Sequence, residues 1–511
     1  MEQRGTPPTD LKYHPLYING EWCDAQSERT FTAYEAATGE PLATVASAGT
    51  EDIDRAVKAA RHAFDHGPWP HTPPQARAKV LHDIADLLEE HTDELTELEA
   101  RDIGVPIRKT TYLDIPFGIE ILRICAELAR RHPYEPLPWI DMPSVSWNFV
   151  WREPIGVCAQ IIPWNYAFPM ACWKIGPALA TGNTIVFKPS SLAPLTSIAI
   201  VRLIAESGLL PKGVINLITG PGGEVGDHLV SHPLVDKVAF TGSTEVGRRV
   251  MGLAAQTIKR LTLELGGKSP SFIMPDADLD IVTDGILWSA FYHSGQLCEA
   301  GTRCFVHASQ YDELIERLVN RVSVMRLGDP LNFESDLGPL ISQQQRTRVE
   351  RYIALGHEEG ARLICGGKRP EGPTFDRGPY VLPTIFADVK NGSRLAQEEI
   401  FGPVLSLIRY ESINEAVVMA NDTMYGLAAS IWSRDIQGAI QVAHRLRAGT
   451  VWINDHHLLN ANAPFGGYKQ SGIGREMSSY GLHEYTEEKH IHVDLMQKRQ
   501  GKLWWDALLP E

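Results

Sequence analysis

The stretch "TIVFKPSSLAPLTSIAIVRLIAESGLLPKGVINLITG", Thr184–Gly220, decides the fold. It opens on a short apolar run, continues through a helical segment that ends at Gly208 and Pro211, and reaches a second apolar run, "GVINLITG". A strand, a helix and a strand in that order form a crossover unit. Outward from it the pattern repeats: "IGVCAQII" lies before it, and "KVAFTGS", "RLTLELGG" and "SFIM" follow. Strands alternating with helices imply an α/β protein with a mostly parallel, doubly wound sheet covered on both faces. In such sheets ligands bind beyond the carboxyl ends of the strands, so the residues just after each run are the ones to inspect.

The flanking regions read differently. Before the first run the chain is helical: "EDIDRAVKAARHAF" and "ARAKVLHDIADLLEEHTDEL" each place apolar residues on one helical face, with Pro73 and Pro74 between them. "PSVSWNFVWREPIGV" alternates and predicts a hairpin strand pair. A second alternating region runs from about 280 to 452, with "YDELIERLVNRV" and "NEAVVMANDTMYG" as helices and "PVLSLIRY" and "GTVWIND" as strands. The tail after Glu484 alternates at first and ends near the pair Trp504 and Trp505, which suits docking on a partner surface.

The 511 residues carry 48 Lys plus Arg against 63 Asp plus Glu, a formal charge of −15. An acidic chain repels nucleic acid and anionic membrane, and no run approaches the roughly 20 apolar residues of a membrane span. The start has no apolar core of a secretory signal, and seven widely scattered cysteines contain no C-x-x-C pair; a cytoplasmic protein with free thiols and no metal site is expected. There is no G-x-G-x-x-G, no H-E-x-x-H and no G-x-S-x-G. "LELGGKS" lacks the first P-loop glycine, which Thr262 replaces. His456 and His457 are neighbours that a strand would point to opposite faces, so they do not form a metal pair.

Five strand-end segments remain: "IIPWNYAFPM", "FKPSSLAP", "ITGPGGEVG", "FTGSTEVG" and "LELGGKSP". Each offers glycine, serine or lysine where an anion would meet backbone N–H groups at a helix start, and five in succession predict a dinucleotide. Cys298, in "GQLCEAGTR", and Cys304 stay open as nucleophile or as apolar filler on residue type alone.

These motifs, with "EEIFGPV" and "PFGGYKQSGIGRE" following in order, resemble the aldehyde dehydrogenase superfamily of the hydrolytic, NAD(P)-dependent kind, over roughly 17 to 492. The resemblance implies a doubly wound dinucleotide-binding domain (1–136 and 155–264), an α/β catalytic domain (265–465) and a small oligomerisation sheet (137–154 and 484–511) that joins a homodimer or homotetramer. It makes Cys298 the nucleophile, Asn165 the oxyanion donor, Glu264 the base of the hydrolytic half, and Lys174 with Glu476 a proton relay; Cys304 remains filler. For NAD or NADP it implies Ile161, Pro163, Trp164, Lys188, Ser190, Ser191, Gly222, Gly226, Phe240, Gly242, Ser243, Val246, Leu265, Gly266, Gln345, Arg348, Glu399 and Phe401. For the aldehyde it implies a channel of Tyr166, Phe168, Trp173, Leu297, Glu299, Leu459 and Phe465.

Such a wall suits medium-chain or arylalkyl aldehydes. Glu299 and the "MSSY" stretch resemble the aminoaldehyde and betaine-aldehyde branch, in which a channel carboxylate would favour a cation. The presence of Glu264 argues against transfer of the acyl group to coenzyme A. The presence of both Cys298 and Glu264 argues against a non-catalytic relative. The chain departs from the family at Ser191, where NAD users carry a glutamate; losing that carboxylate opens the site to a 2′-phosphate beside Lys188. It departs again at His293, where an asparagine is common.

Overall fold

The computed structural model describes residues 11–131, 134–141 and 145–509. Two large sheets organise the molecule. The first has eight strands in the order Gly472–Ile473, Arg260–Glu264, Lys237–Thr241, Val157–Ile161, Thr184–Lys188, Ile215–Leu217, Leu16–Ile18 and Glu21–Cys23. The five strands between 157 and 264 are parallel to one another, and the edge strands join antiparallel. Val157–Ile161 and Lys237–Thr241 are buried throughout, as parallel strands covered by helices on both faces must be.

The crossover unit of the opening stretch is present as read. Its helix, Leu195–Ser207, buries Ile198, Val201 and Ile204 and stops at Gly208, whose φ of 67° is left-handed. Pro194 cannot cap the start of this helix. The Asp102 carboxylate does so from a different helix, accepting the N–H groups of Leu195 and Thr196 at 2.8 and 3.0 Å.

The second sheet has seven strands in the order Arg362–Cys365, Thr384–Ala387, Val404–Tyr410, Arg303–His307, Pro270–Ile273, Ala428–Trp432 and Thr450–Ile453. Its helix Tyr311–Val322 turns Leu314 and Leu318 fully inward. Burial of such side chains stabilises by about 1.5–3 kcal/mol each.

Three expectations give way. The first third is not purely helical: Lys12–His14, Leu16–Ile18, Glu21–Cys23, Thr30–Tyr34 and Pro41–Ala46 are strands. Three of them hold only three residues, too few to show alternation, and Leu16–Ile18 exists because Ile215–Leu217 offers it an edge. The long helical segment breaks at His91 into Pro74–Glu90 and Thr92–Ile103, where the His91 ring hydrogen-bonds the Leu87 carbonyl at 2.9 Å. The expected hairpin is one long strand, Ser146–Pro154, paired on one side with Tyr134–Pro136 and on the other with Thr486–Asp494 over nine residue pairs. The alternation signalled two polar-facing neighbours, not a turn within the stretch. Residues 143 and 144 of that stretch lie outside the described residues. The tail ends in a short turn, Leu503–Ala507, with Trp504 38% and Trp505 45% exposed.

Candidate active site

From Val157–Ile161 the first sheet grows outward through Thr184–Lys188 to Ile215–Leu217. The chain then returns to Lys237–Thr241 on the other side of the starting strand. The carboxyl ends of 157–161 and 237–241 therefore flank the topological switch point, the place where a doubly wound sheet opens a crevice. Ile161, Pro163 and Trp164 leave one lip; Phe240, Gly242 and Ser243 leave the other. A Cβ on Gly242 would stand 2.6 Å from the Phe240 ring, so only glycine fits there. Ser243 caps the helix Thr244–Ala254, its Oγ accepting the Val246 N–H at 3.4 Å. Leu265 packs on Gly247 of the same helix. Gly226 lies against Ile161, and Gly222 is exposed on the preceding turn.

The opposite wall comes from the second sheet. Glu399 accepts the Gly267 N–H at 3.0 Å, and a Cβ on Gly266 would stand 2.5 Å from its carboxylate. Burial pushes Glu399 up to about 7. Phe401 has a left-handed φ of 62° and meets Trp164 edge-on at 5.3 Å. Gln345 donates to the Phe401 carbonyl at 2.7 Å and Arg348 to the Glu399 carbonyl; these contacts hold a conformation that a bulky residue rarely adopts.

Lys188 is buried, and its ammonium donates to the Pro189 carbonyl at 3.0 Å; burial lowers it to about 8. Ser190 and Ser191 follow it, half-exposed. A crevice whose floor excludes side chains at Gly242 and Gly266, with a helix start, a lysine and a carboxylate around it, fits an NAD(P) dinucleotide.

Cys298 rides on an unusual loop. After the helix Leu279–Phe291 the chain takes His293, Ser294 and Gly295 through left-handed φ values of 52°, 53° and 70°. Histidine tolerates that region, as asparagine does, which is a physical reason for a polar residue at 293. The turn is pinned by Ser294 Oγ donating to the Gly338 carbonyl at 2.8 Å and by Gln296 Oε1 accepting the Ile341 N–H at 2.9 Å. The Gln296 carbonyl in turn accepts Asn165 Nδ2 at 2.8 Å, which ties the first sheet's loop to the nucleophile's loop. A Cβ on Gly267 would lie 2.2 Å from the Cys298 carbonyl, so the glycine lets the two loops meet. Cys298 is half-buried, whereas Cys304 is fully buried in the strand Arg303–His307.

Glu264 ends the strand Arg260–Glu264 and borders the same cleft as Cys298, Asn165 and Glu399. Neither of its carboxylate oxygens has a partner among the described residues. Burial, reinforced by the charge of Glu476, pushes it well above the usual carboxylate range. Behind it Lys174 and Glu476 form a buried ion pair.

The apolar residues divide into two groups. Trp173 meets Phe465 at 5.5 Å and Phe117 at 6.3 Å, and Cys298, Tyr166 and Leu459 pack on the same cluster; Leu297 is buried beside Cys298. Phe168 instead is 0% exposed, its ring beneath Gly118, which takes it out of the channel wall and into the core. It follows Tyr166 by two on a helix, Ala167–Thr181, that is buried on every face.

Sequence reasoning missed Gln296, Phe117 and His457. The two histidines do not diverge: His457 has a left-handed φ of 66°, outside any strand, and both rings return to Glu299. His456 Nε2 meets the Glu299 carbonyl at 2.9 Å and His457 Nδ1 meets its carboxylate at 3.0 Å. The described residues contain no group of three or more His, Cys, Asp or Glu arranged to hold a metal ion.

The sequence profile of the aldehyde dehydrogenase family matches residues 22–491. The chain is 45% identical over 481 residues to the betaine aldehyde dehydrogenase of Bacillus subtilis, covering 93% of this chain and 96% of that one. It is 43% identical over 485 residues to the human mitochondrial aldehyde dehydrogenase, covering 94% and 92%. The structure of betaine aldehyde dehydrogenase from Staphylococcus aureus in complex with NAD+ superposes with a TM-score of 0.93 at 40% identity, covering 96% of each chain. The chain belongs to the aldehyde dehydrogenase family. It is an NAD(P)-dependent aldehyde dehydrogenase.

Proposed function

We propose that the protein oxidises an aldehyde to the free carboxylic acid through a covalent bond to Cys298, chiefly on neutral medium-chain or arylalkyl aldehydes. The observation that carries this reading is the convergence of Cys298, Asn165 and Glu264 on one cleft at the switch point of the first sheet.

Once its proton has passed to a neighbouring carboxylate, Cys298 Sγ attacks the aldehyde carbon as the thiolate, and the carbonyl electron pair moves to the oxygen of the tetrahedral thiohemiacetal. The Asn165 amide carries two hydrogens; the Gln296 carbonyl accepts one, and the other is left for the cleft that Asn165 lines with Cys298. Together with the Cys298 N–H it receives the oxyanion, a contribution of about 3 kcal/mol. When bound, the nicotinamide cofactor supplies the hydride acceptor that leaves a thioester on Cys298. Lys188 and Glu399 would hold its two riboses, and Gly242 with Ser243 its pyrophosphate. Glu264 then takes a proton from the water that hydrolyses the thioester, and Lys174 with Glu476 passes that proton away. Replacing Glu264 with Gln should keep a single burst of reduced cofactor and cut steady turnover by about 10²–10⁴; steady turnover that survives would overturn the assignment of the base.

The aromatic and aliphatic wall around Cys298 supports neutral substrates, because burial supplies about 25 cal/mol per Å². A second reading, a quaternary-ammonium aldehyde, is supported by the similarity to betaine aldehyde dehydrogenases and by the rings of Tyr166 and Trp173, which suit a cation. Glu299 lends it less than its charge suggests, since that carboxylate is already engaged by His457 and by the Cys298 thiol. The same steady-state assay, run with both aldehyde types, decides between them through kcat/KM.

Ser191 supports use of NADP beside NAD. A Ser191→Glu variant should lose kcat/KM for NADP and keep it for NAD; a wild type indifferent to NADP would overturn this part. The small sheet of Tyr134–Pro136, Ser146–Pro154 and Thr486–Asp494 supports a homodimer or homotetramer: Thr486–Asp494 lies at its edge, and Trp147 and the tail's Trp504 and Trp505 add exposed apolar surface. The same reading divides the chain at 136, 154, 264 and 465, although the strand Tyr134–Pro136 pairs within the small sheet. The free cysteines support a cytoplasmic location, and no described helix is long and apolar enough to cross a membrane.

A further inference from the structure

Glu299 adjoins the nucleophile in sequence and touches it in space. Its Oε2 accepts the Cys298 Sγ–H at 3.1 Å, and its Oε1 meets His457 Nδ1 at 3.0 Å. The other ring nitrogen of His457, Nε2, meets the Ser289 carbonyl at 3.0 Å. The His457 ring is therefore held from both sides, by the Glu299 carboxylate and by a backbone carbonyl. His456 differs: its Nε2–H donates to the Glu299 carbonyl, its Nδ1 has no partner, and burial holds it neutral with a pKa of about 3. One histidine thus fixes the Glu299 backbone and the other fixes the position of its side-chain carboxylate.

We propose that Glu299, clamped by His457, is a latch on the nucleophile that keeps the Cys298 sulfur protonated in the resting protein. The inference rests on reading Cys298 as the nucleophile. Among the described residues the thiol donates to Glu299 Oε2, and that acceptor is a carboxylate. A negative charge at that distance penalises the thiolate twice, by repulsion and by loss of the S–H···O contact.

The other groups facing the sulfur do not offset this. Glu264 faces it from the end of Arg260–Glu264, and Glu399 from the loop after Arg394–Gln397; both disfavour a second negative charge. Tyr166 faces it from the start of the helix Ala167–Thr181 and carries no charge. Lys109, over the rings of Tyr166 and Tyr292 at 4.8 Å each, is tied to Asp114. His457 bonds to the group that contacts Cys298. Burial and Glu299 accordingly push the thiol well above its ordinary range. Burial opposes ionisation of Glu299 as well, but His457 and the thiol bring that carboxyl down to about 2. A nucleophile held as a thiol resists oxidation and stray alkylation until the latch opens.

The latch predicts opposite effects from its two members. The full-length protein, without added cofactor, is treated with iodoacetamide across a pH series, and the Cys298 peptide is followed by mass spectrometry. Glu299→Gln keeps an oxygen beside the sulfur but removes the charge. It should lower the alkylation midpoint and speed alkylation about three- to tenfold below the wild-type midpoint. His457→Gln leaves the carboxylate uncompensated and should raise the midpoint and slow the reaction. Shifts in the same direction, or no shift in Glu299→Gln, would mean that the contact is packing and the proposal fails. If Glu299→Gln loses its cooperative thermal transition, the His457→Gln midpoint decides alone, and an unmoved midpoint sinks the idea. Turnover does not enter this readout, so a failed latch and a failed assignment of the Glu264 base remain distinguishable.

Discussion

Two carboxylates reach the Cys298 cleft from opposite sides of the molecule, and burial penalises the charge of both. Glu264 stands at the end of a strand of the first sheet, with neither oxygen partnered among the described residues, and is pushed well above the carboxylate range. Glu299 stands on a loop of the second sheet, meets the His457 ring and a thiol, and is brought down to about 2. Lys174 pairs with Glu476, and the charges of Lys174 and Arg475 do not offset the burial of Glu264. Burial alone therefore does not set ionisation; the partner does. A carboxyl left without one is suited to take up a proton, whereas one held as a carboxylate controls its neighbour.

The first side can be broken at its ion pair. Lys174→Met leaves Glu476 buried without a counter-charge and should destabilise the protein by about 3–5 kcal/mol, read from the urea midpoint at unchanged slope. A midpoint within error of the wild type would show that the pair is not energetically coupled. A smaller effect sharpens the contrast through pH. Glu264 works as a base only when ionised, and its folded pKa is raised, so deacylation-limited turnover should fall about tenfold per unit as pH drops below that value. The acid limb should persist in Glu299→Gln and vanish in Glu264→Gln. A limb that survives in Glu264→Gln would assign it to another group.

Much of this was legible from residues because it depends on neighbours along the chain. The crossover unit at 184–220 and the helix Tyr311–Val322 follow from periodicity and from Gly208 as a stop. The strand-end glycines and serines bring a dinucleotide crevice into view before any coordinate is known. The short strands before residue 46 were not legible, since three residues cannot display a period and their pairing partners lie far along the chain. The break at His91 and the single strand Ser146–Pro154 escaped for related reasons, one hinging on a single side-chain contact and the other on partners at 134–136 and 486–494.

Residue types and spacing were enough to establish the α/β class, the family and the set of side chains that could carry the chemistry, since each rests on local pattern and order. Tertiary structure alone decided which of those side chains meet and in what charge state. It sent Phe168 into the core, turned both His456 and His457 back onto Glu299, and left Glu264 without a partner. The physical reason is distance: a carboxylate's proton depends on groups within a few ångströms, and here those groups come from residues more than 150 positions away in the chain.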